Sequence, residues 1–198
     1  MEKTYLITWD DFSPLNLKLA RLLRQYDLEA IFFIECDKDY KIEQIKMLAD
    51  LGFEIGSHTI HHPQDLKRLS KIDAWCEIAD SRRILQEVTK QTIDWFCYPR
   101  GRYNEKIIDM VRQAGYKYAR TTKIYNDNNN DENLTISGGV HCFQRQEYGK
   151  VDWLDFAKNF IKENKIVRIW GHAWEIEKNN EWDKLEELFE FIRSLKLK

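Results

Sequence analysis

Short apolar runs alternate along this chain with longer segments of helical period, and that alternation is the tightest constraint on its fold. Thr4–Trp9, Glu29–Ile34, Glu54–Ser57, Thr92–Cys97, Tyr116–Thr121 and Ile166–Trp170 read as strands. Between them lie amphipathic helices. Ser13-Pro14 starts one, carried by Leu15, Leu19, Leu22 and Leu23. Ile42–Leu51 is stopped by Gly52, and a long helix runs from a Ser70-x-x-Asp73 cap to Thr89. Glu105–Ala114 and Trp153–Lys162 follow, and Trp182, Leu185, Leu188, Phe189, Ile192 and Leu195 mark the stripe of a last helix. The stretch Ile124–Lys150, rich in Asn, Asp and Gly, reads as a long functional or mobile connection.

Strands that alternate with helices pair in parallel and need helices to cover them. The expected class is therefore α/β. About six strands fit a distorted, incomplete (β/α) barrel with mainly parallel strands and outer helices. An open doubly wound sheet is the alternative. A chain of 198 residues fits one catalytic domain over 1–198.

Composition serves to exclude. With 31 basic against 33 acidic residues and a net charge of −2, nothing favours a nucleic-acid or anionic-membrane partner. The four cysteines, Cys36, Cys76, Cys97 and Cys142, form no Cys-x-x-Cys pair, so reduced thiols are expected, with Cys97 a packing residue. No apolar run is long enough to span a bilayer and no secretory leader is evident, which makes a cytoplasmic location the expectation. The oligomeric state stays open.

Polar clusters follow four of the strands, where (β/α) folds place their chemistry. They are Asp10-Asp11, His58-Thr59-Ile60-His61-His62, Tyr98-Pro99-Arg100-Gly101 and Gly171-His172-Ala173-Trp174-Glu175. Each has a plainer reading: a helix cap, a polar loop, a turn, a core histidine. Yet adjacent carboxylates resist joint burial unless a cation or proton intervenes. Three of the five histidines fall within five residues, and a spacing of four aims His58 and His62 the same way if one helical turn separates them. Two imidazoles and a carboxylate form a common catalytic zinc set with a position left for water. His61 should point elsewhere. Trp174 suits stacking on a sugar face, with core packing as its default.

In this order the clusters resemble the polysaccharide deacetylase family, carbohydrate esterase family four, whose catalytic unit is the NodB-homology domain. The carriers are Thr8-Trp9-Asp10-Asp11-Phe12, Gly56-Ser57-His58-Thr59-Ile60-His61-His62-Pro63, Cys97-Tyr98-Pro99-Arg100-Gly101 and Ile169-Trp170-Gly171-His172. The resemblance implies one divalent metal ion, zinc first, with cobalt, nickel or manganese as alternatives, held by Asp11, His58 and His62. It implies Asp10 as general base, His172 as general acid and the backbone N–H of Arg100 as oxyanion donor, with Tyr98, Pro99, Trp174 and Glu175 around the substrate. The implied reaction is removal of an N-acetyl group from an amino sugar or glycoconjugate. Hydrolysis of another C–N bond, in a ureide or cyclic amide, and an inactive glycan- or metal-binding relative are the alternatives. The chain departs from the motifs at three positions. Phe12 replaces a glycine, Arg100 a tyrosine, and Cys97 an arginine that steadies the base. The aspartate that tunes the acid has no clear match; Asp152 is a weak candidate and Glu175 another.

Overall fold

Strand β1 (Thr4–Trp9) lies near the middle of an all-parallel sheet in the computed structural model, which describes residues 3–37, 42–124 and 132–196. The other strands are β2 (Ile31–Ile34), β3 (Glu54–Ser57), β4 (Trp95–Cys97), β5 (Tyr118–Arg120), β6 (Val140–His141) and β7 (Ile166–Gly171). Their order is β5-β4-β3-β2-β1-β7-β6, every neighbour parallel. The sheet curls into a half-barrel with helices around it, the incomplete barrel the sequence predicts. One segment connects its two edges: Ile136 bridges to Arg120 of β5, and β6, four residues on, pairs with β7.

Alternation along each strand separates two environments. Ile7, Trp9, Phe32, Ile34, Ile55 and Phe96 face outward into one large core with the helices, where Trp9 meets Phe189 edge-on. The intervening residues Leu6, Ile31, Phe33, Trp95 and Cys97 form a small second cluster inside the barrel. The helices that cover the outside are α1 (Asn16–Gln25), α2 (Ile42–Asp50), α3 (Lys71–Trp75), α4 (Ser81–Thr89), α5 (Glu105–Gln113), α6 (Trp153–Glu163), α7 (Ala173–Lys178) and α8 (Trp182–Lys196). Leu185, Leu188, Phe189 and Ile192 of α8 are fully buried, each burial contributing about 1.5–3 kcal/mol.

Several boundaries differ from the sequence reading. Among the described residues the sheet has seven strands instead of six, because β6 lies inside the stretch expected to be a loop. A strand of two residues has no periodicity to read. Residues 125–131 of that stretch lie outside the described residues. Helix α1 begins at Asn16, and Ser13 forms a turn before it, its Oγ accepting from the Leu15 N–H. Ser70 caps α3 through the Asp73 N–H as its motif suggests, but a π turn at Cys76–Asp80 separates α3 from α4. Among the described residues no helix is long and apolar enough to cross a membrane.

Gly56 of β3 shows how tightly the interior is filled. A Cβ there would lie 2.5 Å from the Phe33 ring. Gly56→Ala is expected to destabilise the protein by about 1–3 kcal/mol, the usual cost of overpacking. Urea unfolding measures it, and an unchanged midpoint would show that Phe33 yields freely.

Candidate active site

The inward phase of the strands carries a polar set to the C-terminal mouth of the half-barrel. Asp10 leaves β1, His58 leaves β3, Cys97 and Arg120 end β4 and β5, His141 ends β6 and His172 leaves β7. Parallel register sets Cys97 directly beside Arg120.

Asp10 is 3% exposed and Arg120 is 1% exposed, and Nη2 of Arg120 donates to both carboxylate oxygens of Asp10. The same Nη2 lies 3.0 Å from the Cys97 sulfur, and Nη1 donates to the Thr121 carbonyl at 3.0 Å. The guanidinium also sits over the Trp170 ring, 4.8 Å from its centroid. Burial pushes the Asp10 carboxyl up, but the charge of Arg120, helped by His58 and His172, outweighs it and holds the group down at about 2. Asp10 is therefore an ionised carboxylate in a buried place. Burial keeps the Cys97 thiol well above its usual value, so it is a neutral neighbour, 3.6 Å from Asp10 Oδ2. No disulfide joins any of the four cysteines, all of which lie among the described residues.

Asp11 faces the other way. Its Oδ1 lies 3.7 Å from His58 Nε2 and 3.8 Å from His62 Nε2. The three donor atoms fall within 4.8 Å of one another. Two bonds of about 2.0–2.2 Å to one ion put their donor atoms roughly 3–4 Å apart, so the set fits a divalent metal. The His58 Nδ1–H donates to the Cys97 carbonyl at 2.8 Å, which turns the Nε2 lone pair toward Asp11, the tautomer that ligation needs. Burial, the main cause, draws both His58 and His62 below the usual imidazole value and keeps them neutral. A helical turn is not what joins them. The two rings meet, centroids 4.6 Å apart, across a tight loop in which Thr59 and His62 have positive φ. Asp11 and Arg100 share that conformation, so four strained residues cluster at this one mouth.

His172 precedes α7. Its Nδ1 lies 2.5 Å from Glu175 Oε2, and its Nε2 points toward Asp11 Oδ2 at 3.8 Å. His141 reaches the same Glu175 oxygen through Nε2 at 3.0 Å and stacks on Trp170. Burial pulls His172 down, but the Glu175 hydrogen bond and the charges of Asp10, Glu175 and Asp11 raise it above the ordinary histidine value. Burial lowers His141. Glu175 is itself held at about 2 by the two histidines, against the effect of its burial. Asp152 does not belong to this group: it caps α6 through the Leu154 N–H and pairs with Lys184 at 2.7 Å.

The turn after β4 places Pro99 in the interior and Arg100 at φ 56° with its side chain exposed. The Arg100 N–H has no acceptor among the described residues, leaving it free for a ligand oxygen. The Tyr98 side chain, expected around the substrate, points away from this mouth. Its strand phase sends it outward into the core, fully buried, with its hydroxyl on the Leu134 carbonyl at 2.9 Å. Trp174, 40% exposed, donates from Nε1 to Asp11 Oδ2 at 3.1 Å and tilts over the His172 ring. Phe12 packs on the core and its N–H donates to Glu35 at 2.6 Å.

Arg120 and His141 escape the sequence reading. Tyr118-Ala119-Arg120 does carry a signal, a cation in the inward phase at the end of a buried strand; His141 carries none.

Arg120→Ala leaves a buried carboxylate without its partner and is expected to cost about 3–5 kcal/mol in unfolding free energy. Because the folded Asp10 is depressed, its stabilisation is complete above its usual value of 3.8 and is lost as pH falls toward 2. The wild type should lose stability over that interval and Arg120→Ala should lose less, which urea titrations at stepped pH would register; parallel pH curves would contradict the pairing.

The model for the family described as "Polysaccharide deacetylase" matches residues 1–119. The protein named "Putative polysaccharide deacetylase YxkH" of Bacillus subtilis (strain 168) is 35% identical over 128 residues, 62% of this chain and 46% of that one. The peptidoglycan-N-acetylglucosamine deacetylase of Bacillus cereus is 29% identical over 127 residues, 59% of this chain and 55% of that one. This chain thus spans about half the length of these two relatives. Among solved structures, the Streptococcus pyogenes deacetylase PplD in complex with acetate shares the fold at a TM-score of 0.60 and 24% identity, over 66% of this chain and 61% of that one. A CE4 family pseudoenzyme from Bacillus anthracis does so at 0.69 and 18%, over 98% of this chain and 61% of that one. With the barrel and the motif residues in place, the chain belongs to the polysaccharide deacetylase family.

Proposed function

We propose that this protein is a metal-dependent N-deacetylase of amino sugars or their conjugates. One observation carries the reading: the Asp11–His58–His62 donor set lies between an ionised carboxylate, Asp10, and an imidazole nitrogen, His172 Nε2. Asp11, His58 and His62 would hold the ion, with zinc proposed ahead of cobalt, nickel or manganese. When bound, the ion supplies a Lewis acid that polarises the amide carbonyl and lowers the pKa of water.

The rest is the work of the chain's own side chains. Asp10, kept ionised by Arg120, accepts the proton of the attacking water. The free N–H of Arg100 donates to the carbonyl oxygen as negative charge builds there, a donor aimed in advance at the transition state. His172 holds its Nδ1–H on Glu175, so its second proton sits on Nε2 and is available to the departing amine. Against the effect of burial, the Glu175 hydrogen bond and the nearby carboxylates raise the pKa of His172 above the ordinary histidine value, which favours that proton. Trp174 offers an exposed ring beside these groups for a sugar face.

Hydrolysis of a ureide or cyclic amide would use the same groups and differ in the leaving nitrogen. An inactive relative is the reading the site favours least, since base, acid and the partners of each stand together.

The test is acetate release from N-acetylglucosamine oligomers and small N-acetyl sugar conjugates by metal-loaded protein. Asp10→Asn should keep the ion, measured by elemental analysis, and lose most turnover, whereas His58→Ala should lose the ion. His172→Ala should lower kcat on the amide by roughly 10²–10⁴-fold. On an aryl acetate, whose leaving group needs no proton, the loss should be much smaller. Equal losses on amide and ester would remove His172 as the acid, and failure to release acetate from any N-acetyl sugar would remove the deacetylase reading.

A further inference from the structure

Three histidines stand within the loop 58–62, and only two of them face Asp11. The third, His61, has a 65% exposed side chain whose Nδ1 lies 2.6 Å from Glu77 Oε1. Glu77 does more than hold this ring. Its Oε2 accepts the backbone N–H groups of Ile60 at 2.9 Å and His61 at 3.0 Å. One carboxylate, 12% exposed, thus makes three hydrogen bonds to the two residues between Thr59 and His62, both of which have positive φ. Thr59 is β-branched and resists that conformation, so the loop needs an external hold.

The hold comes from the π turn at Cys76–Asp80. A π turn fits one residue more than an α-helical turn does and commonly marks a functional place. Here it carries Glu77, and the next residue extends the grip. The Ile78 carbonyl accepts from Tyr116 Oη and Ser81 Oγ, each at 2.9 Å. Ser81 Oγ lies 2.7 Å from Ser57 Oγ, which accepts the Thr59 N–H at 3.2 Å. Thr59 Oγ1 in turn accepts the His62 N–H at 3.0 Å. Ser57, Thr59 and Ser81 are fully buried, so these bonds are not shared with water.

We propose that Glu77 is a positioning residue for the metal centre: from the π turn it holds the loop 58–62 in its strained form and keeps His61 from replacing His58 or His62 on the ion. The inference rests on the metal reading above. It adds that the choice of ligands among three close histidines is made from outside the loop.

Cobalt(II) titration of the full chain, followed by absorbance and by chelator competition, tests this with Glu77→Ala, Glu77→Gln, His61→Ala and the double variant Glu77→Ala/His61→Ala. Glu77→Ala should weaken cobalt binding by roughly 10–100-fold and alter the cobalt spectrum. In the metal-free protein it should speed amide exchange at Ile60 and His61. Glu77→Gln, which keeps an acceptor for the two N–H groups, should recover most of the affinity. His61→Ala should bind cobalt as the wild type does, and the double variant should show weak binding without the altered spectrum. Thermal unfolding of each metal-free variant separates loss of the site from loss of the fold, because a merely structural Glu77 would lower Tm and leave affinity and spectrum unchanged. Wild-type affinity in Glu77→Ala overturns this inference alone. A wild type that takes up neither cobalt nor zinc overturns the metal reading, and this inference with it.

Discussion

The buried ion pair of Asp10 and Arg120 is the constraint to which the rest of the mouth answers. It joins the end of β1 to the end of β5, across the interior of the half-barrel, with the Cys97 thiol between them. Such a pair adds little net stability, because both ions lose their water, but removal of one partner strands the other. What it secures is a carboxylate that stays charged at full burial. A cysteine at position 97 is part of that arrangement: register sets it beside Arg120, and its small neutral side chain leaves the space that the guanidinium occupies. The cation beside Asp10 thus comes from β5, the strand next to the one that carries Cys97.

Two adjacent carboxylates divide their tasks through backbone geometry. Asp10 continues the inward phase of β1 and meets Arg120, whereas Asp11, at φ 60°, breaks the strand and turns its oxygens to the histidines. The repulsion expected of neighbouring acids is resolved by giving each its own cationic or cation-binding partner. The histidines follow the same economy of direction. His58 is oriented by a backbone carbonyl, His172 by Glu175, and His61 by Glu77.

Strain is concentrated where function is proposed. Asp11, Thr59, His62 and Arg100 all adopt a conformation that costs free energy, and the first three are held by hydrogen bonds from their surroundings. Asn16 Nδ2 donates to the Asp11 carbonyl, and buried hydroxyls brace Thr59. The surrounding core, with Trp9, Phe32, Phe96 and Phe189 all fully buried, makes such rigidity affordable.

Much of this was legible in the residues. The alternation of apolar runs and helical stripes determines a parallel α/β fold, because each pattern has one periodicity that buries it. The clusters after four strands supply the candidates for a metal triad, a base and an acid, since in such folds strand ends converge. Tertiary structure alone decided the partners. Arg120 lies 110 residues from Asp10, and only curling of the sheet brings them together. His141 sits in a strand too short to show a period, and joins Glu175 because that strand pairs with β7. A spacing of four aims His58 and His62 the same way only within a helical turn; here positive φ at Thr59 and His62 brings the rings together, and Glu77 on the π turn maintains the loop. The Tyr98 side chain lies in the core because strand phase, not motif position, sets which way a side chain faces. Local pattern encodes the elements and the ends where chemistry gathers; the charge balance of a buried site depends on contacts that no local pattern contains.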